Sequence, residues 1–103
     1  MANTFKNYTG SCTNTSATTI YTVPASTTAV IIGCNIANTG SSTVNVDVQV
    51  ASKYIVKGAP IPVGSALSVL DGKIIAETTE TVVVTSDATG GDCDVILSVL
   101  EQS

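Results

Sequence analysis

Residues 43–50 read TVNVDVQV. Successive side chains of an extended chain point to opposite faces, so Val44, Val46, Val48 and Val50 share one side and Asn45, Asp47 and Gln49 the other. A strand divided in this way buries one face and wets the other, as in an antiparallel sheet packed on a core. The same reading extends in both directions. With the central run taken as TVNVDVQVA (43–51), strands are expected at TTIYTV (18–23), TAVIIGCNIAN (28–38), KYIVK (53–57), SALSVL (65–70), KIIAE (73–77), ETVVVTSD (80–87) and CDVILSVLE (93–101). No window shows the 3.6-residue repeat of an amphipathic helix. The expected fold is all-β: a single antiparallel β-sandwich, jelly-roll or immunoglobulin-like, of about seven to eight short strands.

Turn chemistry separates the strands. NTGSS (38–42) and ATGGD (88–92) carry the Gly and Asn that accept positive φ. Asp71-Gly72, between SALSVL and KIIAE, predicts a hairpin with a type I′ turn. Pro60 and Pro62 cannot donate ladder hydrogen bonds, so GAPIPVG (58–64) is expected at a corner or a sheet edge. Lys57 beside these glycines is no phosphate cradle, because the G-x-x-x-x-G-K-[ST] order and the following helix are both missing. Residues 1–17, MANTFKNYTGSCTNTSA, are polar and read as an N-terminal extended arm, with residues 18–103 as the sandwich domain.

Composition narrows the functions. The chain has 103 residues and a net charge of −4, enough for one core that buries roughly 60–70% of the unfolded surface. Hydrophobic residues make up 44% but aromatics only 4%, so valine and isoleucine must fill that core. Lys6, Lys53, Lys57 and Lys73 are scattered and there is no Arg, which argues against direct nucleic-acid binding. No apolar run spans a membrane, and the start lacks the apolar segment of a secretory signal. The expectation is a chain that stays in the cytoplasm that made it, or leaves by a route that reads no signal.

Nor does the sequence supply reagents for catalysis. Without His there is no base to activate a serine, and no C-x-x-C or His marks a zinc site. No catalytic residue, cofactor or metal site is assigned. Asp87, Asp92 and Asp94 around the Gly-Gly turn read as solvated turn residues against the alternative of a calcium loop. Tyr21 and Tyr54 lie within strands and are expected to cap the core, which leaves few aromatic faces for a sugar. Cys34, between Ile32 and Ile36, reads as a small buried hydrophobe on their face. The odd count of three cysteines forbids full internal pairing, and Cys12 with Cys93 can pair or stay free.

The closing strand is apolar on both sides, with Val95, Leu97 and Val99 opposed by Ile96 and Leu100. Two alternatives follow: both faces are core, or one of them is a seam between subunits. Partner contacts are therefore expected at Val95, Leu97 and Val99, and at Phe5 and Tyr8 of the arm, which can add as a strand to an open sheet edge.

Beyond these local features, the order of several short words over residues 18–101 is distinctive: Y-T-V-P (21–24), a strand ending A-N (37–38), V-x-V-x-V (44–48), A-P-I-P-x-G (59–64), V-L-D-G-K (69–73) and a closing S-V-L-E (98–101). In this order the chain resembles a group of short virion proteins of tailed bacteriophages, many from cyanophages and other marine or freshwater phages. The resemblance implies a β-sandwich structural protein of the particle, assembled in the host cytoplasm. It further implies a capsid cement or decoration protein, as a homotrimer bound to the major capsid protein or other virion proteins. A component of the neck, tail or fibres is the alternative.

Overall fold

The computed structural model describes residues 3–70 and 72–103, and these form nine strands and no helix. They are β1 (Asn3–Cys12), β2 (Thr18–Thr22), β3 (Thr28–Asn38), β4 (Val44–Val50), β5 (Lys53–Ile61), β6 (Ala66–Ser68), β7 (Ile74–Ala76), β8 (Thr81–Ser86) and β9 (Cys93–Gln102). Two antiparallel sheets pack face to face. The first has the order β1-β9-β3-β6, with β7 also on β3; the second has the order β2-β8-β4-β5. The sandwich expected from the alternation of TVNVDVQV is the observed fold.

The core is the valine slab that composition required. Val44, Val46 and Val48 of β4 and Val82 and Val84 of β8 face Val95, Leu97 and Val99 of β9, with Ile31, Ile36 and Ile61 filling between them. Each fully buried aliphatic side chain of this kind stabilises the fold by about 1.5–3 kcal/mol.

Eight strands match the expected set, and the ninth comes from the polar N-terminal segment. β1 pairs with β9 over its whole length without a register shift, from Asn3 opposite Gln102 to Cys12 opposite Cys93. Its sequence, NTFKNYTGSC, has too few apolar residues to announce a strand. The exposed backbone edge of the apolar β9 supplies the pairing that the segment's own pattern does not.

Three local expectations are corrected. SALSVL and KIIAE do not form a hairpin with each other: β6 pairs with residues 35–37 of β3 and β7 with residues 29–31, both antiparallel. They lie end to end along one sheet edge. The gap between them faces the β-bulge at Ile31/Gly33 of β3, where a continuous neighbour would lose register. Asp71, on which the I′ turn rested, lies outside the described residues. The same bulge turns Ile32 outward, 41% exposed, whereas Cys34 and Ile36 point into the core. Cys34 is buried as expected, but Ile32 is not on its face. Tyr54, expected at the core, is 53% exposed on β5 with Lys57 over its ring at 4.5 Å.

The tight hairpin of this chain lies elsewhere. Val50 pairs with Lys53, so β4 and β5 are joined by Ala51 and Ser52 alone, with φ of 52° and 64°. Two positive φ values are the mark of a type I′ turn, which favours Asn-Gly and penalises residues with a Cβ in this region. The double variant Ala51→Asn, Ser52→Gly is expected to gain about 1 kcal/mol, a rise in Tm of about 5 °C in a calorimetric scan.

Pro60 falls inside β5, opposite Asn45, and β5 is an outer strand of its sheet. A proline on an edge strand leaves no ladder bond unmade.

A candidate interaction face and a buried carboxylate cluster

The outer faces of the two sheets differ in chemistry. That of the second sheet is polar: Asp47 accepts from Lys57 Nζ at 3.5 Å and from the Gly58 amide at 2.7 Å, and Asn45 donates to Asp87 through both its amide groups at 2.9 and 2.8 Å. The outer face of the first sheet carries a row of apolar side chains. Phe5 stands opposite Leu100, Leu100 opposite Val30, and Val30 opposite Ile75, so the row crosses β1, β9, β3 and β7 in register.

Phe5 is 73% and Ile75 62% exposed, while Leu100 and Val30 between them are half-buried by their neighbours. The outward-turned Ile32 adds to the row, and Phe5, Ile32 and Ser98 border a hollow of about 230 Å³, room for one inserted side chain. Past this point the face becomes polar, with Ser98 donating to Asn7 at 2.9 Å and Ser11 to Asp94 at 2.7 Å, and Ile96 isolated among them. Of the six large hydrophobic side chains exposed among the described residues, Phe5, Ile32, Ile75 and Ile96 lie on this one face. Such clustering, not exposure of single residues, marks a contact surface.

The five residues expected to meet a partner are divided by the fold. Phe5 lies in the apolar row. Val95, Leu97 and Val99 are 1%, 0% and 0% exposed, so their place is the core between the sheets, because period-2 alternation aims them inward. The open side of β9 is that of Ile96 and Leu100, the pair set against them in the sequence. Tyr8 also points inward. Its hydroxyl donates to Glu101 Oε2 at 2.8 Å, and its ring lies 4.3 Å from that of Tyr21 at a tilt of 33°.

Tyr21 of β2 donates to the same carboxylate oxygen at 2.5 Å, and Lys6 Nζ lies 3.8 Å from the other. Glu101 is 8% exposed. It thus ties β1 and β9 of one sheet to β2 of the other along the side of the sandwich where β1 and β2 are the outer strands. The Tyr21 hydroxyl, with Tyr8 and Lys6 adding to it, holds the Glu101 carboxyl below its ordinary value against the opposing effect of burial. Burial, then the bond to Glu101, push both tyrosines upward. Sequence reasoning passed over Glu101, although it follows Val95, Leu97 and Val99 in phase and is therefore aimed inward by the same alternation.

The acidic residues near the Gly-Gly turn are dispersed. Asp87 serves Asn45 and Asp94 serves Ser11, while the Asp92 side chain packs on Gly40. Among the described residues no three His, Cys, Asp or Glu side chains come together as a metal site.

No protein-family model and no curated protein matches the chain. Among solved structures it is similar to a chain of the acidic stable capsid structure of Helicobacter pylori bacteriophage KHP30, with a TM-score of 0.61 and 13% sequence identity over 98% of this chain and 87% of that one. At that identity the likeness is one of fold, and it takes in the whole sandwich including β1.

Proposed function

We propose that this chain is a structural protein of a bacteriophage virion, and within it a capsid cement or decoration protein that bridges neighbouring capsomers. The observation that carries this reading is the end-to-end likeness of fold to a chain of a phage capsid. The order of short sequence words shared with phage virion proteins points the same way. The apolar row of the first sheet is the surface that meets the major capsid protein, with Phe5 and Ile75 as its most exposed members.

The row is small beside the roughly 20–30 residues that each partner commits to a stand-alone interface. A modest contact suits a protein held in many copies, where engagement of several shell subunits at once raises the effective concentration. Arrangement as a closed homotrimer at a local threefold supplies three such contacts per unit. Nothing in this role requires a reaction or a cofactor.

The test is copy number on purified particles. Stoichiometry matching the major shell protein supports the cement role, and the low stoichiometry of a tail assembly rejects it in favour of a neck, tail or fibre component. With Phe5→Asp and Ile75→Asp combined, occupancy on particles is expected to fall about tenfold or more while the circular dichroism and Tm of the free protein change little. Both side chains project from the sheet and leave the core untouched. Full occupancy by the double variant would remove this face from the interface.

A further inference from the structure

Cys12 ends β1 and Cys93 begins β9, and the two stand directly opposite each other in the antiparallel ladder. Both point inward, 3% and 1% exposed, and both are free thiols. Opposed residues of an antiparallel pair have Cα atoms about 4.5 or 5.5 Å apart, within the roughly 4.4–6.8 Å that a disulfide spans. Cys34 is opposite Leu97, which lies four residues along β9 from Cys93. That is about 13 Å along the strand, out of reach of either sulfur.

We propose that Cys12 and Cys93 are a redox latch: two thiols while the chain folds, and a disulfide pinning β1 to β9 once the protein meets a small oxidant such as hydrogen peroxide. The sulfur of Cys12, beside the exposed Thr13, attacks one peroxide oxygen; the O–O bond breaks, and a sulfenic acid and one water result. The sulfur of Cys93 then displaces the sulfenic oxygen as a second water, and the S–S bond forms. Two electrons pass from the sulfurs to the peroxide, and the two thiol protons leave in the waters. A bulky disulfide such as glutathione disulfide cannot enter the packed core to do the same.

Two consequences are specific to this pair. β1 is an outer strand of its sheet and carries both Phe5 and Tyr8. A bond at its end fixes the strand that borders the apolar row and the Glu101 cluster. The bond also closes a loop of about 80 residues, a long-loop case in which a cross-link strongly restricts the unfolded chain. Burial raises both thiols above their ordinary value, so the reaction is slow at neutral pH and quickens as pH rises. The latch requires no virion; it is a property of the folded chain.

The test uses the full chain, reduced and then exposed to hydrogen peroxide at mildly alkaline pH, with free thiols alkylated after denaturation and peptides mapped by mass spectrometry. The expected result is a Cys12–Cys93 link, an alkylated Cys34, and a Tm higher by about 10 °C or more that returns to its starting value on reduction. Cys34→Ala should give the same link and the same shift. Three alkylatable thiols after exposure, a link through Cys34 or between two chains, Cys12 oxidised beyond the sulfenic stage without a link, or a Tm lowered by the link would each overturn the proposal.

Discussion

Glu101→Ala is expected to destabilise the chain by about 3 kcal/mol, a fall in Tm of about 15 °C, although it removes a single charged side chain at the end of the last strand. The size follows from what the carboxylate holds. The hydroxyls of Tyr8 and Tyr21 both donate to it, from different sheets, and of the two Tyr21 is buried while Tyr8 is half-buried. A buried donor left unpaired costs about 1–3 kcal/mol. Lys6 loses its partner too, but its side chain is 51% exposed and returns to water at little cost. Glu101→Gln keeps the shape and one acceptor oxygen, so it should lose about half as much. Tyr21→Phe, which removes the shorter bond, should cost about 1.5 kcal/mol, and a double-mutant cycle with Glu101 should show coupling of about 1 kcal/mol.

The same cluster contributes to the pH dependence of stability, alongside Asp87 on the acid side and the buried thiols of Cys12, Cys34 and Cys93 on the alkaline side. Because the folded Glu101 carboxyl titrates below its ordinary value of 4.5, its contribution is complete above that value and is lost as pH falls through the lower folded value. The tyrosines act with the opposite sign. Their folded values lie above the ordinary 10.0, so their contribution is complete below pH 10.0 and is lost as pH rises through the folded values. Denaturant unfolding across pH should therefore show a plateau with two declining limbs. Glu101→Gln should make the acid limb shallower, leaving the part that belongs to Asp87. The double variant Tyr8→Phe, Tyr21→Phe should make the alkaline limb shallower, leaving the part that belongs to the buried thiols. An acid limb unchanged in Glu101→Gln would remove the carboxylate from this role.

Where the chain alternates, its pattern was sufficient. Val44 to Val50 showed both the strand and its inward face, since the side-chain period and the pleat coincide. Val95 to Val99 showed the strand alone, because Ile96 and Leu100 make its other side apolar too and the pattern does not say which side is core. Where a bulge interrupts the period, the pattern misled. Ile32 reads as the companion of Cys34 and Ile36 until the extra residue in β3 turns it outward, and Gly33, a glycine inside a strand pattern, is the one sign of the bulge at that point. Turn preferences misled in a second way, because Ala51-Ser52 makes the tight hairpin that Asp-Gly would favour, held there by the pairing of two long strands on either side. β1 was illegible for a third reason: its stability lies in the edge of β9, which belongs to the other end of the sequence. The apolar row was hidden likewise, since Phe5, Leu100, Val30 and Ile75 become neighbours only through three registers at once.

The two glycines of ATGGD illustrate the limit most sharply, and they yield the other large expected effect. Both read as turn residues, interchangeable on sequence grounds. In the fold Gly91 is buried, has a φ of 76°, and lies against the end of β1 so closely that a Cβ would overlap the carbonyl of Cys12 and the amide nitrogen of Thr13. Its amide donates to Ala88 O at 2.9 Å, and its carbonyl accepts from the buried Ser86 hydroxyl at 2.5 Å. The residue therefore cannot move aside without breaking the loop that joins β8 to β9. Gly91→Ala meets an unfavourable φ and two backbone atoms together, and is expected to cost about 4 kcal/mol. At Gly90 an added Cβ would meet only the Asp92 side chain, 3.0 Å away, which can turn toward solvent, and φ is not positive. Gly90→Ala should therefore stay within about 1 kcal/mol of the parent. Urea unfolding of the two variants side by side provides the check: equal midpoints would mean that the end of β1 does not pack on this loop as described, whereas a large gap confined to Gly91 would show that the N-terminal strand is built into the fold through its contact with a single backbone position.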